Sequence, residues 1–402
     1  MESRYARITG WGSYVPPRVL TNFDLEKMVD TSDEWIVTRT GIRERRIAGE
    51  GETTSTMSIA AARQALERAG VNAAELDMII AATSSPDFHL PPVASMIQDR
   101  LGAKDAAAFS LEAGCTGFVY GLVTGTQFIQ TGTYNKVLVI GAEVISRFID
   151  WQDRATCVLF GDGAGAVVLE ASEHPEPTGV LAFELGSDGS DWDALVAYGG
   201  GSAMPFSQKV LDERKHYLRM DGRRVFKFAT RTMSDAVRRV VMQSGIPWDD
   251  IELLIPHQAN ARIIDLAVRR LGIDPDKVMV NLDRYGNTSA ASIPIALAEA
   301  VDQGKLKMGD HVVLVSFGAG LTWAAAVIHW QPVEPETPTE GILVENWPVR
   351  AQLSASWTRA RNEFWSAQVT VRSRLSEAAM AVLMPLYTFT GRRRRSQRQK
   401  KE

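Results

Sequence analysis

The chain has 402 residues, a formal net charge of −4 and the composition of an ordinary soluble globular protein. That length allows one large core or two to three domains, and so mild a charge implies no nucleic-acid partner. Two cysteines, Cys115 and Cys157, exclude a disulfide framework, and no apolar run reaches the about 18 residues that cross a membrane as a helix.

The chain opens Met1-Glu2-Ser3-Arg4-Tyr5-Ala6-Arg7-Ile8, without the apolar core of a signal peptide, so a cytoplasmic protein is expected. Leu66-Glu67-Arg68-Ala69-Gly70-Val71 reads as a helix end with a glycine stop, and Leu76-Asp77-Met78-Ile79-Ile80 as a buried strand. A further strand, Ala107-Ala108-Phe109-Ser110-Leu111, runs into Ala113-Gly114-Cys115-Thr116-Gly117-Phe118 and a helix carried by Val119, Leu122, Val123, Phe128 and Ile129. Cys115 is thus expected at a helix N-terminus, where free N–H groups and the helix dipole favour a thiolate and can hold an oxyanion. Lys136-Val137-Leu138-Val139-Ile140-Gly141 is the next strand. Cys157 lies in an apolar stretch and reads as inert core. Gly161-Asp162-Gly163-Ala164-Gly165 looks like a phosphate loop, yet it leads into the strand Ala166-Val167-Val168-Leu169 and not into a helix, so it reads as a structural turn.

The pattern then repeats. Val241-Met242-Gln243-Ser244-Gly245-Ile246 and Ile251-Glu252-Leu253-Leu254-Ile255 match the first helix, glycine and strand. Leu282 to Thr288 aligns with Leu111 to Thr116 with one extra residue, which sets Gly286-Asn287-Thr288 opposite Gly114-Cys115-Thr116. A helix (Ile293, Ala296, Leu297, Ala300) and a strand (His311-Val312-Val313-Leu314-Val315-Ser316) follow. Two copies of one α/β unit, residues 1–172 and 173–330, are expected to pack about a pseudo-twofold axis with buried strands and covering helices. The second strand ends at Pro256-His257-Gln258-Ala259-Asn260, where open sheets hold ligands, so Cys115, His257 and Asn287 are expected to converge. His89, His174, His216, His311 and His329 have no ligand-like spacing, and no metal is expected.

Four segments in order carry a resemblance: Thr31 to Arg45, Phe160-Gly161-Asp162-Gly163-Ala164-Gly165, Pro256-His257-Gln258-Ala259-Asn260, and Gly286-Asn287-Thr288-Ser289-Ala290-Ala291-Ser292. Over roughly residues 4 to 330 the chain resembles β-ketoacyl-acyl-carrier-protein synthase III of the thiolase superfamily. The resemblance implies a duplicated thiolase-like α/β fold in five layers, α-β-α-β-α, and a homodimer. It implies condensation of an acyl-CoA primer with malonyl-acyl carrier protein, with no cofactor because the CoA thioester is a substrate. Cys115 would take the acyl group, as a thiolate both attacks and leaves well. His257 and Asn287 would donate to the enolate oxygen, and the N–H groups of Cys115 and Ala319 would hold the second oxyanion. Family members usually carry glycine at the position of Ala319. Trp35 and Arg154 match the adenine sandwich, Arg39 a phosphate contact, and Gly222, Phe226, Ala259 and Asn260 the pantetheine tunnel. Leu90 and Phe317 match the acyl pocket, Leu90 reaching into the partner subunit's pocket where the family often has phenylalanine. Arg223, Arg224, Lys227 and Arg262 form a basic set suited to an acidic carrier protein. A related condensing enzyme of specialised metabolism, a cysteine hydrolase in which Asn287 orients His257, and a non-catalytic membrane scaffold are the alternatives.

Beyond Trp330 the resemblance stops. Residues 331–350 begin as a Pro/Glu-rich linker. In residues 351–402, Leu353, Trp357, Phe364, Trp365, Val369 and Leu375 recur near helical spacing among arginines, and Arg392-Arg393-Arg394-Arg395 follows. The tail reads as a basic amphipathic helix for an anionic membrane surface, against a helix packed on the dimer or a disordered tail.

Overall fold

A computed structural model describes residues 4–172 and 176–332. Both helix-glycine units form as read. The helix Thr54–Ala69 is opened by the Thr53–Thr56 capping box and closed by Gly70 at φ +66°, and the helix Gly222–Ser244 is opened by Asp221 and closed by Gly245 at φ +71°. Left-handed backbone favours glycine, which has no Cβ to clash, so both stops were legible.

The first sheet contains β1 (Tyr5–Tyr14), β2 (Met78–Ala82), β3 (Ala107–Leu111), β4 (Lys136–Glu143) and β5 (Gly163–Ser172), in the order β1-β5-β4-β2-β3. The second contains β6 (Gly179–Ser187), β7 (Ile251–Pro256), β8 (His311–Gly318) and β9 (Thr322–His329), in the order β7-β8-β9-β6. β2 is parallel to β4, and β4-β5 and β5-β1 are antiparallel. β7 is parallel to β8, and β8-β9 and β9-β6 are antiparallel. The two sheets therefore share one strand order and one set of directions. The counterpart of β3 has shrunk to a single parallel bridge between Leu254 and Val278.

Strands buried on both faces carry continuous apolar runs, and successive residues serve different cores. Ile80 and Val139 of the first sheet, with Ile255 and Leu314 of the second, pack on two helices between the sheets, α3 (Gly117–Gln130) and α6 (Ser292–Asp302). Ile79 and Leu138 face outward onto α2 (Thr54–Ala69). Leu254 and Val313 face outward onto α4 (Gly222–Ser244) and α5 (Ala261–Leu271). The result is the α-β-α-β-α stack, with α1 (Asp33–Thr40) lying beyond it against α5. No helix among the described residues is long and apolar enough to cross a membrane. The linker and tail of residues 333–402 lie outside the described residues.

Candidate active site

Cys115 lies in a one-turn 3₁₀ segment, Gly114–Thr116, between β3 and α3, and α3 itself begins two residues later at Gly117. The matching turn that leads into α6 is Ser289–Ala291. Ala290, and not Asn287, therefore falls opposite Cys115, which corrects the alignment drawn from the sequence. The offset arises because the second copy inserts a short helix, Leu282–Tyr285, and then holds Asn287 in a bridge with Phe160. Asn287 donates its N–H to the Leu159 carbonyl at 2.8 Å and accepts from the Gly161 N–H at 3.0 Å. A Cβ at Gly161 would lie 2.3 Å from the Tyr285 carbonyl oxygen, so only glycine admits this approach. The Gly161 to Gly165 run is a structural turn, as read: Asp162 accepts from the N–H groups of Ala48 at 2.7 Å and Ser146 at 2.9 Å.

The end of β8 closes on the Cys115 turn. A Cβ at Gly318 would lie 2.7 Å from the Cys115 nitrogen, and one at Gly114 would lie 2.9 Å from the Ala319 nitrogen. The Ser316 hydroxyl donates to the Cys115 carbonyl at 2.8 Å. These contacts bring the two expected oxyanion donors side by side. Ala319 is not a left-handed residue; the left-handed backbone falls on Gly320, at φ +131°. An alanine at this position therefore costs no backbone strain.

His257 directly follows β7 and donates its N–H to Val315 at 2.8 Å. Its ring meets Phe317 edge-on at 5.3 Å. It is 1% exposed, and both ring nitrogens are buried without a hydrogen-bond partner among the described residues. Asn287 is also buried. Its Oδ1 accepts from the Ser289 N–H at 2.8 Å, and its Nδ2 donates to no group among the described residues. Buried polar groups are nearly always paired, so an imidazole with no partner among the described residues leaves a donor and an acceptor open to a ligand.

Burial dominates the electrostatics. It pushes the Cys115 thiol up to about 12; the buried Glu143 carboxyl also raises it, and the Ser289 hydroxyl opposes both. The thiolate expected from the helix start is therefore not the resting state, because desolvation outweighs the turn's N–H groups. Burial likewise pulls His257 down to about 3, so its imidazole is neutral at pH 7. Glu143, at the end of β4 and fully buried, is pushed up to about 7 by burial while its hydrogen-bond donors hold it down. Sequence reading assigned no role to Glu143 or Ser289. The signal available was a carboxylate closing an otherwise apolar strand. Cys157 is fully buried, and burial raises its thiol to about 11, which fits inert core.

At the expected CoA entrance, Trp35 carries the guanidinium groups of Arg154 at 5.0 Å and Arg39 at 4.8 Å. Arg154 thus rests directly against the ring that an adenine would share. Asn260 caps α5 through the Arg262 N–H at 2.9 Å and donates to the Arg39 carbonyl at 3.1 Å, so both ends of its amide are already engaged. Gly222 opens α4, and Phe226 lies one turn on, with Arg262 over its ring at 5.7 Å. Ala259 is half-buried at the start of the loop before α5. Arg223, Lys227 and Arg262 are exposed and pair with no carboxylate among the described residues. Arg224 departs from the basic set: it binds Asp191 at 2.5 Å and Asp193 at 2.7 Å, so its charge is neutralised locally. Leu90 is 82% exposed, on a loop with Phe88, and cannot line a pocket in its own subunit. Phe317 is buried behind His257.

A family model described as 3-oxoacyl-[acyl-carrier-protein (ACP)] synthase III matches residues 109–189, and one for its C terminal matches residues 241–330. The chain is 54% identical over 328 residues to the β-ketoacyl-[acyl-carrier-protein] synthase III of Roseiflexus sp. (strain RS-1), covering 82% of this chain and 99% of that protein. The chain belongs to the β-ketoacyl-acyl-carrier-protein synthase III family. Its fold is similar to the solved synthase III of Aquifex aeolicus VF5, at 47% identity and a TM-score of 0.75 over 81% of this chain and all of that one. The synthase III of Thermus thermophilus gives 48% identity and the same TM-score, again over 81% of this chain and 100% of that chain. Family members are acyltransferases of the condensing type. The hydrolase alternative also needs Asn287 to orient His257, whereas here the Asn287 side chain accepts from Ser289 and the His257 ring bonds nothing among the described residues.

Proposed function

We propose that Cys115, His257 and Asn287 carry out the condensation of this synthase III in two half-reactions. The enzyme joins an acyl primer to malonyl-acyl carrier protein and so initiates fatty-acid synthesis. In the first half-reaction the Cys115 sulfur attacks the acyl-CoA carbonyl, the C–S bond to CoA breaks, and CoA leaves. In the second, malonyl decarboxylation builds an enolate whose oxygen accepts from neutral His257 and from Asn287 Nδ2. The enolate carbon attacks the acyl-Cys115 carbonyl, the N–H groups of Cys115 and Ala319 hold that oxygen, and Cys115 is expelled.

The observation that carries this reading is the buried His257 ring, whose two nitrogens find no partner among the described residues, in the same fold as a buried Cys115 and an Asn287 whose amide nitrogen donates to no described group. A neutral imidazole suits the role, since it donates one hydrogen bond without bringing a charge into a desolvated site. CoA enters over Trp35, Arg39 and Arg154 and passes Gly222, Phe226, Ala259 and Asn260, which requires the Arg154 side chain to lift from Trp35. Carrier protein docks on Arg223, Lys227 and Arg262. The protein acts as a cytoplasmic homodimer in which the exposed Leu90 and Phe88 loop is covered by the partner subunit, and residues 351–402 contact an anionic membrane surface. Mass spectrometry after incubation with a mixed acyl-CoA pool tests the central claim. The acyl group should appear on Cys115 and vanish in Cys115→Ser; label on Cys157 would overturn the assignment.

A further inference from the structure

Asp150 is a buried carboxylate in a stretch of chain that no strand fixes. Arg214 grips it with both prongs of its guanidinium. Nε donates to Oδ2 at 2.8 Å, and a second nitrogen donates to Oδ1. The Arg219 guanidinium stands 3.7 Å from Oδ2 and donates to the Arg214 carbonyl at 3.2 Å. Paired, parallel donation of this kind fixes direction as well as distance. Arg214 provides it from a left-handed backbone, φ +54°, just after the short helix Gln208–Asp212. A residue with a Cβ rarely adopts that conformation, and such outliers gather where geometry is held for function.

The grip joins two segments that meet at the expected CoA entrance. On one side, Asp150 shapes its own turn. Its Oδ1 accepts from the Gln152 N–H at 3.0 Å, and its carbonyl accepts from the Asp153 N–H at 2.9 Å. Asp153 then caps the helix Arg154–Cys157 by accepting from the Ala155 N–H at 3.0 Å. The first residue of that helix is Arg154, which lies over Trp35. On the other side, Arg214 and Arg219 lie in the segment that leads into α4. The Leu218 N–H of that segment donates to the Phe148 carbonyl at 2.8 Å, and Asp221 caps α4. The two sides differ in how well they hold themselves. α4 has 23 residues, and Val225, Ala229 and Met233 bury its apolar face in the core. The helix Arg154–Cys157 has four residues, too few to be stable alone, so its place depends on what grips the turn before it.

We infer that Asp150, held by Arg214 and Arg219, positions Arg154 for the nucleotide end of CoA. The brace ties the Arg154 turn to the start of α4. It thereby sets the spacing between the adenine contact at Trp35 and Arg154 and the tunnel wall at Gly222 and Phe226 before the thioester arrives. Asp150, Arg214 and Arg219 act through Arg154 and are positioning residues. Their contribution is preorganisation: a contact already in place does not have to be ordered at the expense of binding. The inference rests on CoA entering over Trp35 and Arg154.

Single-turnover acetylation of Cys115 in the full-length protein tests it with two donors, acetyl-CoA and acetyl-pantetheine. The second carries the same thioester and arm but no nucleotide. Arg214→Gly removes the grip and relieves the left-handed backbone. Asp150→Asn removes the charge at nearly constant size. Each should raise the half-saturating concentration of acetyl-CoA about tenfold with little change in the maximal rate, as for a lost cation–π contact made equally in ground and transition state. Each should leave acetylation by acetyl-pantetheine at its wild-type rate. Arg214→Lys keeps the charge without the paired prongs and should recover only part of the acetyl-CoA affinity. Combining Arg214→Gly with Arg154→Ala should be scarcely worse than Arg154→Ala alone, because both act on one contact. A variant that merely weakens the fold loses both donors by the same factor, so equal losses overturn the brace. Effects of Arg214→Gly and Arg154→Ala that multiply in the double variant overturn it too. If Arg154→Ala itself leaves the preference for acetyl-CoA over acetyl-pantetheine unchanged, the entrance reading beneath fails and the brace falls with it.

Discussion

Asn287 offers the sharpest separation of catalytic donation from structural support. Its two amide atoms have different duties: Oδ1 accepts from the Ser289 N–H at 2.8 Å, and Nδ2 is the donor proposed for the enolate. Asn287→Ala removes both. Loss of one oxyanion-type donor costs about 2.7–4 kcal/mol of transition-state stabilisation, a fall of about 10²–10³ in condensation. It also strands the buried Ser289 N–H, at about 1–3 kcal/mol of folding stability. Asn287→Asp keeps the acceptor for Ser289 and removes the donor. Both variants should therefore lose condensation with malonyl-acyl carrier protein to a similar degree, and Asn287→Ala alone should show a clearly lowered Tm. Neither removes a group needed for primer transfer, so acetylation of Cys115 should fall by at least about tenfold less than condensation. Paired single-turnover assays with acetyl-CoA, and with malonyl-acyl carrier protein on pre-acetylated enzyme, read the two steps separately. Equal loss of both steps in Asn287→Asp at an unchanged Tm would refute the division of labour.

Gly161→Ala should destabilise the fold by about 1–3 kcal/mol and lower condensation more than acylation, because the new Cβ meets the Tyr285 carbonyl at 2.3 Å and shifts the segment that holds Asn287; wild-type melting and rates would remove the argument. Arg223→Ala, Lys227→Ala and Arg262→Ala should each raise KM for malonyl-acyl carrier protein, with an effect that fades as salt screens it. Arg224→Ala should leave that KM unchanged, because Asp191 and Asp193 already hold its guanidinium, and a larger KM effect there than at Arg223 would contradict this. Truncation after Trp330 should preserve condensation while reducing co-sedimentation with anionic vesicles, each basic residue near the surface contributing about 1 kcal/mol; full-length protein that ignores such vesicles at low salt would end the membrane proposal.

Local signals carried much of the fold. Gly70 and Gly245 marked helix ends because left-handed backbone favours glycine, and the runs at Val137 to Ile140 and Val312 to Val315 marked strands because both faces of each sheet are covered. Repetition of that pattern disclosed two related sheets, and the turns at Cys115 and Asn287, with the strand end at His257, were read as one site. What the chain order did not decide was desolvation and register across the interface between the copies. Cys115 was legible as a turn residue, but only packing under β8 makes its thiol neutral at rest. Arg224 reads like its basic neighbours until Asp191 and Asp193, some thirty residues earlier, fold onto it. Glu143 and Ser289 lie 146 positions apart, and no local pattern relates them. They meet because β4 of one sheet ends against the turn before α6. Sequence periodicity records which residues are buried; which buried groups face one another is settled only when the two copies pack.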